Sequence, residues 1–155
     1  MTRPWLLGGW LWLASGLAAM ACSADRVILW GETPKAQFTT VVADTDETRG
    51  RGLMFVEEMP AGASMLFVYD SPRSVAFWMR NTLIPLDMIF ADATGRVRRI
   101  HANASPLDET VIPGGDDIQF VLEINGGLAK RMGLQVGDAL QHPAIPAELA
   151  RHPCQ

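Results

Sequence analysis

The chain has 155 residues, of which 48% are hydrophobic and 19% are charged, and its formal net charge is −4 at pH 7. This length predicts a single domain, and the apolar fraction excludes a chain that is disordered throughout. The negative charge argues against a nucleic-acid-binding protein that relies on neutralising phosphates, so we expect no nucleic-acid partner.

The first 21 residues have the pattern of a secretory signal. Arg3 supplies one positive charge, an apolar run follows from Trp5 to Met20, and Ala19 and Ala21 satisfy the small-x-small rule for cleavage. We therefore predict export to the periplasm with residues 1–21 as the signal peptide. An uncleaved membrane anchor is the alternative, although the run is short for a membrane span.

Two cysteines lie at opposite ends of the chain that follows the signal. Cys22 comes directly after the predicted cleavage site, which resembles a bacterial lipoprotein signal. A lipid on Cys22 would attach the protein to the outer membrane. In an oxidising compartment Cys22 and Cys154 could instead form a disulfide, and two free thiols are the third alternative. All three alternatives are consistent with the sequence.

The mature chain is divided into three parts. Residues 22–36 form an N-terminal extension with the first strand, residues 37–141 form the main β domain, and residues 142–155 form a proline-containing tail that we expect to be loose. Alternating and continuous apolar runs predict strands at Arg26–Trp30, Gln37–Ala43, Met65–Tyr69, Val75–Met79, Leu86–Ala91, Arg96–His101, Ile118–Ile124 and Val136–Leu140.

Two short helices complete the predicted elements. Asp44 and Glu47 have the spacing of a capping box, which predicts a helix that begins near Thr45. Leu128 and Met132 are four residues apart and predict a second helix. Many short strands with frequent turns favour a mainly β fold, either a compact β-sandwich of jelly-roll type or a partly closed barrel.

The sequence carries few motifs of known chemistry. It has no phosphate-binding loop, no dinucleotide-binding glycine pattern and no nucleophile-elbow or zinc-protease motif. The three histidines, His101, His142 and His152, are scattered, so we predict no metal site and no cofactor. Exported methionines can hold Cu(I). However, several of the methionines here lie in apolar strand runs, where methionine commonly fills gaps in a core.

Polar residues inside apolar runs are the best candidates for a site. Strand alternation places Trp78 and Arg80 on one face of their strand, and it sets Asp87 and Glu123 against the apolar residues of theirs. If these strands share a sheet, the three charged residues come to one surface beside Trp78. An aromatic residue with convergent charges is typical of the wall of a small-molecule groove. The simpler interpretation is a structural Arg–Asp pair that satisfies a buried carboxylate.

The same stretches resemble a known family. Arg51–Phe55, Met65–Phe67 and the block Phe77–Phe90 are similar to the bacterial and archaeal DUF192 family, also called UPF0127. The resemblance covers roughly Gln37 to Leu140, although Arg80 stands where lysine is usual. It implies a compact, often exported, β-sandwich or jelly-roll-like domain. It implies no established reaction, cofactor or partner, so no catalytic residues carry over.

We therefore expect an exported, non-enzymatic module that binds a small ligand or another component of the cell envelope. Contact with a membrane would come only through the signal or a lipid on Cys22. The groove is predicted from the following residues: Trp78, Arg80, Asn81 and Asp87, with Arg51 and Glu123 as further candidates.

Two other functions fit the sequence. A hydrolase or lyase would use Asp87 or Glu123 as general base with help from His101, and it requires a carboxylate with a raised pKa inside a pocket. An Asp87 that is saturated by hydrogen bonds and sealed from solvent would not serve as that base. A purely structural or protein-interaction module would instead show an exposed apolar patch and no pocket.

Overall fold

The computed structural model describes residues 22–154, so the predicted signal peptide lies outside the described residues. Seven strands and two short helices make up this part of the chain. The strands are β1 (Arg26–Trp30), β2 (Pro34–Ala43), β3 (Ala63–Phe77), β4 (Leu86–Ala91), β5 (Val97–Ala104), β6 (Ile112–Asn125) and β7 (Ala139–Gln141), and the helices are α1 (Asp46–Arg51) and α2 (Leu128–Arg131). Neither helix is long and apolar enough to cross a membrane.

The strands form one curled sheet in the order β5-β4-β6-β3-β2-β1-β7. Only the β2–β3 pair is parallel among the described strands. The two edges approach each other at a bridge between Arg96 and Ala139, where the Leu140 N–H donates to the Gly95 carbonyl at 2.8 Å. The mainly β prediction is confirmed, and the partly closed barrel is the architecture formed.

One long strand replaces two predicted ones. A strand was predicted to end at Tyr69, but β3 continues through Asp70, Ser71 and Pro72 to Phe77. The pairing of β3 with β6 shifts register between Val68 and Arg73. Such an irregularity leaves residues unpaired, and this is where a strand tolerates proline. The continuous strand carries Phe77 to the site described below.

The predicted start of α1 at Thr45 is correct, but a different pair of residues caps it. The Thr45 hydroxyl accepts from the Thr48 N–H at 3.1 Å, and the Thr48 hydroxyl accepts from the Thr45 N–H at 3.0 Å. Two orphan donors are thereby satisfied reciprocally. Threonines replace the Asp44 and Glu47 side chains in this role.

Two apolar clusters cover opposite faces of the sheet, because successive strand residues alternate. Face A carries the cluster that includes Phe38, Leu66, Phe120, Leu122 and Ile124. Face B carries the cluster that includes Phe67, Met88, Phe90, Val121 and Leu86.

The tail packs against the domain, so the expectation of a loose tail was wrong. His142 and Ile145 are each only 3% exposed. The His142 Nδ1 accepts from the Ala144 N–H at 3.0 Å, which leaves Nε2 to donate to the Ala24 carbonyl at 3.0 Å. A disulfide joins Cys22 to Cys154 across 132 residues. A sulfur in this bond cannot also carry a thioether-linked lipid.

Candidate ligand-binding cavity

An open cavity of about 280 Å³ lies on face B, where α1 and the loops that follow α1 and β3 cover strands β3 and β6. Four aromatic side chains, two arginines and one carboxylic acid are among the groups that line it. The lining consists of Arg49, Gly50, Arg51, Gly52, Leu53, Met54, Phe67, Tyr69, Ala76, Phe77, Trp78, Thr82 and Glu123.

Arg49 holds the helical side of the cavity in place. Its guanidinium donates to the carbonyls of Asp44 at 2.6 Å and Val68 at 2.7 Å, and to the Asp46 carboxylate at 2.6 Å. It also lies over the Tyr69 ring, 5.1 Å from the centroid. Arg49 thus makes three hydrogen bonds within the protein, and it fixes α1 against β3.

The loop after α1 closely approaches the cavity wall. Gly52 has φ +49°, and a Cβ at this position would lie 3.2 Å from the Phe67 ring. Phe55 and Asn81 also have positive φ angles, of 65° and 55°. The Phe55 N–H donates to the Asn81 carbonyl at 2.8 Å, which ties the two covering loops together. Glycine permits the approach, and backbone strain of this kind clusters at functional sites.

Glu123 is the one acidic residue in the cavity lining. It is 4% exposed, and its side chain makes no hydrogen bond within residues 22–154. Every fully buried side-chain nitrogen or oxygen in that part of the chain has a partner, so the carboxyl group of Glu123 must reach the cavity. Burial alone raises the pKa of Glu123 from 4.5 to about 8, because desolvation disfavours the charged form.

Asp87 has the opposite environment. It is fully buried, and its carboxylate accepts from the N–H groups of Asn103 at 2.7 Å, Gly127 at 2.9 Å and Ala129 at 2.7 Å. It therefore anchors β5 and the start of α2 and has no access to a ligand. This excludes the predicted roles of Asp87 as a groove residue and as a general base.

The expected surface with both carboxylates does not form. Asp87 pairs with Ile124 and lies on face A, whereas Glu123 pairs with Met88 and lies on face B. The strands that carry Asp87 and Glu123 share one sheet, as expected. However, the register between β4 and β6 differs by one residue from the register that would place the two acids opposite each other. A shift of one residue moves a side chain to the other face.

The other predicted residues lie at or near the cavity. Trp78 is 46% exposed and lines the cavity, and so does the exposed Arg51. The guanidinium of Arg80 lies over the Trp78 ring, 5.5 Å from the centroid, outside the lining. Asn81 is half-buried, and its amide contacts the Met54 sulfur at 3.9 Å.

His101 lies in a different cavity, of about 380 Å³. It pairs with Met88 from β5, while Glu123 pairs with the same Met88 from β6. His101 and Glu123 are therefore on the same face but on opposite sides of the buried Met88. No direct contact between His101 and Glu123 supports the prediction that His101 assists Glu123 as a general base.

Sequence reasoning missed several lining residues. Alternation was expected to place Trp78 and Phe77 on opposite faces, but β3 ends at Phe77, so both line the cavity. Tyr69 and Arg49 were not singled out either. The arginine-glycine pattern around Gly50 and Gly52 was the signal available for this side of the site.

No group of three His, Cys, Asp or Glu side chains in residues 22–154 is arranged to hold a metal ion. Two methionines border the site, since Met54 lines the first cavity and both Met54 and Met65 line a neighbouring one of about 260 Å³. Thioether ligation by these residues is not needed to explain their positions, because Met65 packs against the apolar cluster of face B.

Comparison with known proteins gives the family and the fold. The solved structures that are similar to this chain include two of bacterial origin. One, a protein of unknown function from Novosphingobium aromaticivorans, is 38% identical with a TM-score of 0.71, over 86% of this chain and 99% of that one. The other, described as "a putative transcription regulator" from Sinorhizobium meliloti, is 35% identical with a TM-score of 0.75, over 81% of this chain and 98% of that one.

No curated protein matches the chain significantly in sequence. The family profile of DUF192, described as "Uncharacterized ACR", matches residues 28–142, which include every strand except the first two residues of β1. The match spans the cavity lining and includes Asp87 and Glu123. The chain belongs to the DUF192 family.

Proposed function

We propose that this protein is an exported, non-enzymatic module that binds a small ligand in the cavity on face B. The observation that carries the proposal is Glu123, a buried carboxylic acid that has no partner in the described chain and opens onto an aromatic cavity. Leaving a buried polar group unpaired is costly, so such a group favours a partner supplied from outside.

The shape and lining of the cavity support the same function. Small-molecule sites are concave and mostly apolar, with a few polar groups that orient the ligand. At about 280 Å³, this cavity is slightly below the range of about 300 to 1,000 Å³ found for drug-sized ligands. The ligand is therefore a small molecule or one exposed group of a larger envelope component.

Export is supported by the disulfide between the two ends of the mature chain. Disulfides persist in oxidising compartments such as the periplasm, and they are rare in the cytosol. Since the sulfur of Cys22 is engaged, outer-membrane attachment through a lipid on this residue is the less supported alternative. Nonreducing mass spectrometry separates the two, because a lipid adds several hundred daltons and a disulfide removes two hydrogens.

The test is native mass spectrometry of the protein purified from the envelope of the producing cell. We expect a non-covalent adduct that is lost on denaturation and absent from Trp78→Ala. The matched control is Val136→Ala, which also removes an exposed apolar side chain, 62% exposed, but one outside the cavity. Equal adduct in Trp78→Ala and Val136→Ala would overturn the assignment of the site.

An enzymatic function is the second candidate, and Glu123 is also the observation that favours it. A carboxyl whose pKa is near the working pH is suited to general acid–base catalysis. However, a glycoside hydrolase of the usual type needs two carboxyls, and Glu123 is the only one in the lining. Turnover of chromogenic ester or lyase substrates by the wild type, but not by Glu123→Gln, would favour the enzyme.

The description of the Sinorhizobium meliloti relative as a transcription regulator does not suit this chain. The net charge of this chain is −4, and the two helices in its described residues have only six and four residues. DNA-binding domains commonly present a basic face and place a recognition helix in the major groove. We therefore propose no nucleic-acid partner.

A further inference from the structure

We propose that the cavity takes an organic cation, a substituted or quaternary ammonium group, which it holds against Glu123 and the aromatic walls. This inference rests on the proposed function and names the chemical class of its ligand. The inference follows from the groups that line the floor and walls of the cavity and from the hydrogen-bond or ion-pair partners that each group has or lacks.

Glu123 is the deep polar group that has no partner. Thr82 is another polar residue of the cavity lining. It is 5% exposed, and its hydroxyl donates to the Arg80 carbonyl at 3.3 Å. A buried carboxylate is stable only with a cation or hydrogen-bond donors beside it. No side chain of residues 22–154 forms an ion pair or a hydrogen bond with Glu123, and an incoming ammonium would supply one.

The aromatic walls favour the same ligand. Phe67, Tyr69, Phe77 and Trp78 all line the cavity. The faces of aromatic rings attract cations, and cages of such rings recognise quaternary ammonium groups. Two of these rings already attract cations in the protein, since Arg49 and Arg73 lie 5.1 and 5.5 Å from the Tyr69 centroid and Arg80 lies 5.5 Å from that of Trp78.

The arginines do not compete for the floor of the site. Arg49 is engaged by two carbonyls, one carboxylate and the Tyr69 ring. Neither Arg49 nor Arg51 contributes to the pKa of Glu123, which burial alone raises. Neither guanidinium forms an ion pair with Glu123 within residues 22–154, so the carboxyl group at the floor has no cation bound to it. The exposed Arg51 is available to an anionic group elsewhere on the same ligand.

Binding of a cation must be linked to loss of a proton. The titratable and charged groups that face Glu123 are Tyr69 from β3 and Arg49 and Arg51 from the segment around α1, while its neighbour on β4 is the neutral Met88. Burial is the main cause that raises the pKa of Tyr69, so the phenol stays protonated at pH 7. Glu123 is then the group that releases the proton.

The test compares choline with 3,3-dimethylbutanol, its neutral isostere in which carbon replaces the charged nitrogen. Calorimetry on the oxidised protein measures both affinities from pH 6 to pH 8. We expect choline to bind at least about tenfold more tightly than the alcohol at pH 8. Its affinity should rise as pH rises toward about 8, with about 0.9 proton released per bound choline at pH 7.

Two variants make the test specific. Glu123→Gln keeps the shape but cannot ionise, so it should lose the preference for choline and the proton release while still binding the alcohol. Glu148→Gln removes an exposed carboxylate outside the cavity and should behave like the wild type.

Three results would overturn the inference. Equal affinity for the two probes would remove the preference for a cation and leave the proposed function standing. An affinity for the alcohol that falls as pH rises would instead indicate a ligand that accepts a hydrogen bond from protonated Glu123. Failure of both probes to bind would also reject the cation, and the proposed function would then be decided by the envelope adduct alone.

Discussion

Asp87 and Glu123 are both buried acids on adjacent strands, yet they face opposite sides of the sheet and have opposite environments. Asp87 lies on face A and accepts three backbone hydrogen bonds. Glu123 lies on face B, with no hydrogen bond in the described chain, in the lining of a cavity. Face A is also where the C-terminal tail packs, through Ile145, and the disulfide holds that tail.

This difference shows that Asp87 stabilises the fold, whereas Glu123 remains available to bind a ligand. Three N–H groups donate to the Asp87 side chain and join β4 to β5 and α2. Glu123 receives no such stabilisation, so its burial costs folding free energy whenever it is ionised. Burial by itself does not reveal which carboxyl is functional. The number of partners does.

Removing the side chain of Asp87 should have the largest effect on stability. Asp87→Ala leaves three buried N–H groups without an acceptor, and we expect it to lower the free energy of unfolding by about 4 to 6 kcal/mol. Asp87→Asn keeps one oxygen as acceptor and should lose less. Urea denaturation measures both. A loss below about 1 kcal/mol for Asp87→Ala would show that these bonds do not hold face A together.

Breaking the disulfide tests the closure of face A by the tail. Replacing both Cys22 and Cys154 by serine frees a loop of 132 residues in the unfolded chain. We expect a loss of about 4 to 5 kcal/mol, chiefly through the entropy of the unfolded state. Wild-type protein unfolded with a reductant should match the double variant. If the reductant has no effect on the wild type, the two cysteines are not bonded in solution.

Local patterns located most of the strands but not the pairing that gives each acid its role. Alternation located β1 and β4 at their observed limits, because apolar and β-branched residues there fit a buried sheet. The partners of Asp87 come from segments 16, 40 and 42 residues away. No short-range signal encodes contacts of that separation.

The candidate site was only partly predictable, because the sequence shows which residues are chemically unusual but not which face of the sheet they occupy. Trp78, Arg51 and Glu123 were identified as chemically unusual residues, and all three line the cavity. Asp87 looked equally unusual in the sequence. Whether an acid in a strand faces a cavity or an array of N–H donors depends on register, and register is set by the whole sheet.

The pH dependence of stability separates the two faces directly. Burial raises the pKa of Glu123 to about 8 in the folded protein, against 4.5 ordinarily, so the folded state retains a proton that the unfolded state releases between these values. Stability must therefore fall as pH rises through this window. Relative to Glu123→Gln, the wild type should lose up to about 1.4 kcal/mol per pH unit, or about 2.5 kcal/mol from pH 5.5 to 7.5.

Urea denaturation of both proteins at pH 5.5, 6.5 and 7.5 provides the measurement. The difference between them should be constant only well below pH 4.5 and well above pH 8, where Glu123 has the same charge in both states. A wild type that gains stability relative to Glu123→Gln over this range would mean that Glu123 has a cationic or hydrogen-bonding partner in the folded protein. Glu123 would then resemble Asp87.

The smallest effect on stability is expected at the mouth of the cavity. Trp78 is 46% exposed, so Trp78→Ala should lower the free energy of unfolding by less than about 1 kcal/mol. Phe77→Ala is the matched comparison, because this ring packs edge-on against Phe67 and Phe90, with centroids 5.1 and 5.8 Å away. Its loss should cost about 3 kcal/mol. If Trp78→Ala is as destabilising as Phe77→Ala, Trp78 belongs to the core of face B, and the cavity loses the wall on which its assignment depends.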